Sequence, residues 1–175
     1  MGQWDTLFAF RGAAMADDVE RMRQILAGDS SFIADENPDH LPLDELARLY
    51  RMQTFCREGP LERVRDLADA DPRLLRQPWT RQCWRPLTQA IAGNQEAIFD
   101  WLLERGADLN DRYEGGGTIL HMAAWDGRIP FAQRILTRGF PINTPDDEGK
   151  TAAQIAQEQG HQPMADFLRA HGGRP

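Results

Sequence analysis

Residues Thr118 to Gly127 read TILHMAAWDG. Ile119, Leu120, Met122, Ala123 and Ala124 have the makings of a short apolar helix, and Gly127 is a stop signal. The same ten residues hold a histidine, His121, and a tryptophan beside an aspartate, Trp125 and Asp126. Two readings account for them: a catalytic pocket, or one copy of a repeated structural unit. The flanking sequence decides between the two.

Moved forward by about 33 positions, the stretch finds itself again. Thr118 falls on Thr151, Ala123 on Ala156, Gly127 on Gly160, Phe131 on Met164 and Ile135 on Leu168. Moved back by the same step, Leu120 falls on Leu87, Ala123 on Ala90, Phe131 on Ile98 and Ile135 on Leu102. The connecting pieces match as well, since RGADLN (Arg105–Asn110) precedes RGFPIN (Arg138–Asn143) by one step. Each period holds two helical patterns and one turn-rich link. A unit of that size cannot bury its own apolar face, so neighbours must stack along an axis.

Three segments carry a family resemblance: RPLTQAIAGNQEAIFDWLLERGADLN, TILHMAAWDGRIPFAQRILTRGFPIN and GKTAAQIAQEQGHQPMADFLRAHG. They resemble ankyrin repeats, whose pattern runs roughly G-x-T-P-L-H-x-A-A-x-x-G and then E-V-V-x-L-L-L-x-x-G-A-D-V-N. The match extends from Arg85 to Gly172. Upstream, GPLERVRDLADADPRLL (Gly59–Leu75) resembles the second helix of a divergent repeat whose first helix is Leu46–Arg57. ADDVERMRQILAGDSSFI (Ala16–Ile33) has the same character, with Met22, Ile25 and Leu26 as its buried edge and a first helix near Thr6–Ala14. The resemblance implies an all-α ankyrin-repeat solenoid with hairpin loops, one domain over 1–175. Its repeats are expected at about 4–36, 46–79, 85–117, 118–150 and 151–172. Asn37–Asp44 is a proline-bearing insertion, and the spacing is stretched around Gln77–Trp84.

Within this scheme Ala90, Ala123 and Ala156 allow close helix approach. The rows Ile98, Phe131, Met164 and Leu102, Ile135, Leu168 form a continuous core, with Trp101 on the same stripe. Thr118 and Thr151 stand where helices begin and can cap free N–H groups. Pro86 belongs in a first turn, and Gly106 and Gly139 belong at C-caps. The final repeat, with Gln154, Gln157, Glu158 and Gln159, is polar enough to close the stack.

Composition bounds the function. The chain has 175 residues, a net charge of −7 and 41% hydrophobic residues. An acidic chain is a poor match for nucleic acid. No run approaches the apolar length that crosses a bilayer, and the N-terminus lacks the charge and length pattern of a secretory signal. MGQWDT meets the loose myristoylation pattern through Gly2 and Thr6, but no basic cluster follows to supply a second membrane signal. Two cysteines, Cys56 and Cys83, make no disulfide framework; reduced thiols in a cytoplasmic protein are expected. Nineteen of the 20 basic residues are arginine, a bias that points to a GC-rich, bacterial genome. Acid is concentrated in residues 1–49, ten carboxylates against four arginines, which reads either as a solvated face or as a surface that steers a basic partner.

No chemistry emerges from the motifs. His121 falls on the histidine of the T-P-L-H pattern, where the resemblance makes it a structural hydrogen-bonding residue with Thr118 as neighbour. Asp126 lies five positions on, about 140° round the helix, and faces elsewhere. Gly115–Gly117 and Gly149–Thr151 lack the spacing and preceding strand of a phosphate loop. Neither catalysis, a cofactor nor a metal site is expected.

The resemblance places partners on the concave side, made of hairpin tips (Thr80–Trp84, Arg112–Gly115, Pro145–Glu148) and first-helix edges (Arg57 and Glu58, Ala92 and Gly93, Trp125 and Asp126). This chain departs from the pattern there: Tyr113 and Thr80 replace the common turn aspartate, Cys83 a turn glycine, and Trp125 a polar surface residue. Trp79, Trp84, Tyr113 and Trp125, with Arg81 and Arg112, are expected to line one groove, joined by Asp126, Glu114, Arg57 and Glu58. For Trp79 and Trp84, packing beneath the stretched loop is an equal alternative. Trp, Tyr and Arg dominate protein interfaces. The expected function is binding of another protein, one with a basic surface, by a chain monomeric on its own. Size and charge suggest an inhibitor, such as an immunity protein that covers a toxin's active site. A non-inhibitory adaptor is the alternative.

Overall fold

The computed structural model describes residues 3–16, 18–28, 42–75, 85–110 and 112–174. Their backbone forms ten α-helices and two short 3-10 turns. The helices come in pairs: α1 (Gln3–Met15) with α2 (Val19–Gly28), α3 (Leu43–Glu58) with α4 (Leu61–Ala70), α5 (Pro86–Ala92) with α6 (Glu96–Glu104), α7 (Ile119–Trp125) with α8 (Ile129–Thr137), and α9 (Ala152–Glu158) with α10 (Gln162–Ala170). First helices stack on first helices in the order α1, α3, α5, α7, α9. Among the described residues the only β pairing is an isolated antiparallel bridge from Arg112 to Thr118.

Side-chain size explains the stacking. Ala90, Ala123 and Ala156 are buried at equivalent points of α5, α7 and α9, where a larger side chain would push the helices apart. Behind them the two expected rows, Ile98, Phe131, Met164 and Leu102, Ile135, Leu168, are all buried. Phe99 and Phe131 meet edge to face, 5.0 Å between ring centres, and join α6 to α8. Trp101 is 6% exposed, a core residue as expected, with the Arg105 guanidinium 4.8 Å above its ring.

The pairs are locked by polar contacts between neighbours. Arg134 of α8 donates to both oxygens of Asp100, at 2.9 and 3.1 Å, and to Glu96 at 2.6 Å, all on α6. At the turn after α5 the stack is tightest: a Cβ on Gly93 would lie 1.7 Å from the Arg57 carbonyl oxygen, so only glycine fits. Gln95 adds a side-chain hydrogen bond to the same carbonyl.

The two leading first helices are longer than the rest, α1 with 13 residues and α3 with 16. Helix α3 has 16 residues, whereas α5, α7 and α9 have 7 each. Its C-terminal end is level with α5, through the Arg57–Gly93 contact, so the extra length, about 13 Å at 1.5 Å per residue, lies at its N-terminal end. Pro42 precedes it and Asp44 and Glu45 occupy its first turn, where carboxylates suit the helix dipole. The sequence suggested a start at Leu46; Leu43–Glu45 continue the helix instead. This helix serves two cores. Leu46, Ala47 and Tyr50 pack with Phe10, Ala13, Ala14, Met22 and Ile25. Leu49, Met52 and Cys56 face the larger cluster that runs to Leu168. Cys56 is fully buried, and burial raises its thiol pKa far above the usual range. Cys83 and the whole stretched segment Gln77–Trp84 lie outside the described residues, as does most of the Asn37–Asp44 insertion.

Candidate functional site

His121 answers the question its sequence raised. Its ring is buried at the start of α7. Nδ1 lies 3.1 Å from the Thr118 backbone nitrogen and 2.8 Å from Thr118 Oγ1, and Nε2 lies 3.0 Å from the Lys150 carbonyl oxygen. A backbone N–H can only donate, so Nδ1 is the acceptor and the neutral ring carries its proton on Nε2, which donates to Lys150. Burial is the main cause that lowers its pKa. This histidine is a rivet between one repeat and the hairpin of the next. The Thr118 contact follows the sequence expectation; the Lys150 contact does not appear in it.

The hairpins that flank His121 are built from turn chemistry. Asp146 Oδ1 accepts from the backbone N–H groups of Glu148 and Lys150, at 3.0 and 2.8 Å, and so closes the second turn. In the first turn Tyr113 N–H donates to Gly117 at 2.9 Å and Gly116 N–H to Tyr113 at 3.0 Å. Stacking is direct, because Asp147 N–H donates to Gly115 at 3.0 Å. Arg112 clamps the same joint: its Nη1 donates to Gly116 at 2.8 Å and to Pro145 at 3.0 Å. Its guanidinium, exposed and expected to line the groove, is thus engaged by two carbonyls of the scaffold.

Tyr113 is half-buried, with its ring against Gly117; a Cβ there would lie 2.1 Å from Tyr113 Cζ. Burial, then the carboxylates of Asp146 and Asp126, push its phenol up to about 12. Trp125 closes α7 with 52% of its surface exposed. Among the described residues only Phe8 of α1, at 68%, is another large apolar side chain so exposed. Asp126 follows, half-buried. Desolvation raises its pKa, against the fields of Arg128, His161 and Arg57. Its carboxylate makes no hydrogen bond or ion pair among the described residues. The His161 ring lies against the backbone of Gly127 beside it.

The structure therefore brings Trp125, Asp126, Tyr113 and Arg57 into one neighbourhood on α7, its hairpin and the end of α3. Glu58 is exposed on the same helix end. Glu114 contributes its backbone to the 3-10 turn Glu114–Gly116, and its side chain lies outside the described residues. Trp79, Arg81 and Trp84 also lie outside them. Lys150, which the sequence did not single out, lies at the same edge with its ammonium between Glu158 (2.9 Å) and Glu148 (3.2 Å). Among the described residues no helix is long and apolar enough to cross a membrane.

Comparison with known proteins agrees with this architecture. Residues 102–156 match the family model described as ankyrin repeats in many copies. Similar proteins include potassium channel AKT1 from rice (Oryza sativa subsp. indica), 28% identical over 46% of this chain and 9% of that protein. The E3 ubiquitin-protein ligase XBAT32 of Arabidopsis thaliana is 30% identical over 63% of this chain and 22% of its own length. Ankyrin repeat and SOCS box protein 6 of Pongo abelii is 28% identical over 82% of this chain and 37% of its length. This chain thus spans well under half of each of these relatives. Repeats of this kind imply a protein–protein interaction module. Helix pairs at a constant period, stacked hairpins, the His121 rivet and the family match over 102–156 together make the fold an all-α ankyrin-repeat solenoid.

Proposed function

We propose that the chain binds a protein partner along the edge formed by its hairpin tips and first-helix ends, without catalysing a reaction. One observation carries this reading: Trp125 stands exposed at the end of α7, and among the described residues Phe8 of α1 is the one other large apolar side chain so exposed. An indole costs little conformational entropy to dock and supplies a large contact area, which is why tryptophan is frequent among interface anchors. The surrounding scaffold is pre-organised by Arg112, His121 and Asp146, so ordering costs on association are small. In the inhibitory form of the proposal, a rigid concave face of this size covers the active site of one enzyme or toxin, as an immunity protein does.

A second reading, a non-inhibitory adaptor, is favoured by the comparisons. In the matched proteins the similar segment is between 7% and 37% of the whole, so the repeats there accompany other parts.

The test is capture of partners from the source organism with wild-type and Trp125→Ala baits, followed by assay of the captured protein. A stoichiometric partner lost with Trp125→Ala supports the surface, with a loss of about 2 kcal/mol in binding. Abolition of the partner's activity by an equimolar amount of the chain marks an inhibitor, and an unaffected partner marks an adaptor. Equal retention by both baits would remove this edge as the binding site.

A further inference from the structure

Unlike Arg112, Lys150 and Asp146, the side chains of Trp125 and Asp126 make no internal hydrogen bond or ion pair among the described residues. Arg112 is engaged by the carbonyls of Gly116 and Pro145. Lys150 is held between Glu148 and Glu158. Asp146 is filled by two backbone N–H groups. Asp126 is half-buried and unpaired among the described residues, and the indole beside it is 52% exposed. Arg128, His161 and Arg57 lie in its field without forming an ion pair with it.

We infer that Trp125 and Asp126 together form a seat for one basic side chain, an arginine or lysine, of the protein that docks on this edge. The inference rests on the reading of that edge as a protein-binding surface. The chemistry of the two groups selects the occupant. An apolar side chain laid over Trp125 would cover Asp126 and strand a carboxylate already short of water, which carries a penalty that no contact offsets. An acidic side chain would meet Asp126 and the acidic tip Asp146, Asp147 and Glu148. A guanidinium or ammonium satisfies both groups at once: its cation sits over the indole face and its N–H groups reach the carboxylate. The net charge of −7 adds a long-range pull of the same sign. A guanidinium fits better than an ammonium, because its planar fork can stack and donate at the same time.

The experiment uses the full chain and a defined probe, blocked hexa-arginine, with hexa-citrulline as the neutral isostere of the same shape. The indole N–H resonance of Trp125, identified by its absence in Trp125→Phe, is followed by NMR. Hexa-arginine is expected to shift this resonance saturably, hexa-citrulline to leave it in place, and Asp126→Asn to weaken the hexa-arginine interaction about fivefold, the effect of one cation contact of this kind. The dispersion of the spectrum checks that each variant is folded. An unmoved Trp125 signal, an equal shift with hexa-citrulline, or an interaction unchanged in Asp126→Asn would each overturn the inference. If the captured partner is nonetheless lost with Trp125→Ala, the docking edge stands and only the basic seat falls. If both baits hold it equally, the edge falls as well.

Discussion

Replacing His121 tests the joint between repeats, because three repeats solve the same problem with three different residues. At the third position of α5, α7 and α9 stand Thr88, His121 and Gln154. Thr88 Oγ1 accepts from Arg85 N–H at 3.0 Å, and Gln154 Oε1 accepts from Thr151 N–H at 2.8 Å. All three satisfy the backbone at the helix start, but of the three only His121 also reaches the next hairpin, through Lys150. His121→Gln should keep the local bond and lose the reach. Lys150 retains a second donor, Asp146 N–H at 2.9 Å, so the cost is that of one ordinary hydrogen bond, about 1 kcal/mol. His121→Ala loses both, leaves the buried Thr118 N–H without its partner and opens a cavity, for a total of about 3 kcal/mol. Urea unfolding followed by circular dichroism measures both, provided the slope is unchanged. The wild-type ring adds a pH signature. Its folded pKa is depressed, so its contribution is present above the unfolded value of about 6.5 and is lost as pH falls below it. That part of the acid sensitivity should vanish in His121→Gln. Equal losses for Gln and Ala would refute the division of roles, and a Gln variant as stable as wild type would show that the Lys150 bond does not hold the hairpin.

Other expectations follow from single contacts. Gly93→Ala places a methyl 1.7 Å from the Arg57 carbonyl; the helices must part, and the midpoint of unfolding should fall by the equivalent of about 3 kcal/mol or more. Asp126→Asn should raise stability slightly at pH 7: a raised folded pKa means that folding favours the protonated acid, a benefit complete below the unfolded value and lost as pH rises through the folded one. A lower melting temperature for this variant would contradict that sign. Trp125→Ala should leave stability within about 0.5 kcal/mol, as surface changes do. Tyr113→Ala should lower it measurably because its ring packs on Gly117, and the reverse order of the two melting temperatures would exchange their roles.

Sequence reading found the repeats from Arg85 onward because stacking restricts residue size at fixed intervals. Alanine recurs at 90, 123 and 156 since each helix meets its neighbour there. The length of α3 escaped it. Leu43, Asp44 and Glu45 follow a proline and read as the tail of an insertion, yet in the fold α1 lies alongside and the helix starts directly after Pro42. At the candidate site Trp125 could be found as an apolar residue at a polar position. The engagement of Arg112 could not, because its partners are backbone carbonyls, one of them a full repeat away, and carbonyl positions leave no trace in residue type. The same holds for the Lys150 end of the His121 contact, whereas its Thr118 end is local and follows from the pattern.

The two-faced helix α3 has a bearing on how the stack comes apart. The inner helices α5, α7 and α9 belong to one shared core, whereas among the described residues α1 and α2 pack against the side of α3 that carries Leu46, Ala47 and Tyr50. In a one-dimensional array each link opens at its own free energy. Among the described residues, the cluster at that seam is separate from the shared core. Amide exchange should therefore proceed like a zipper pulled from one end, with α1 and α2 released as a unit while Trp125 and its neighbours remain closed.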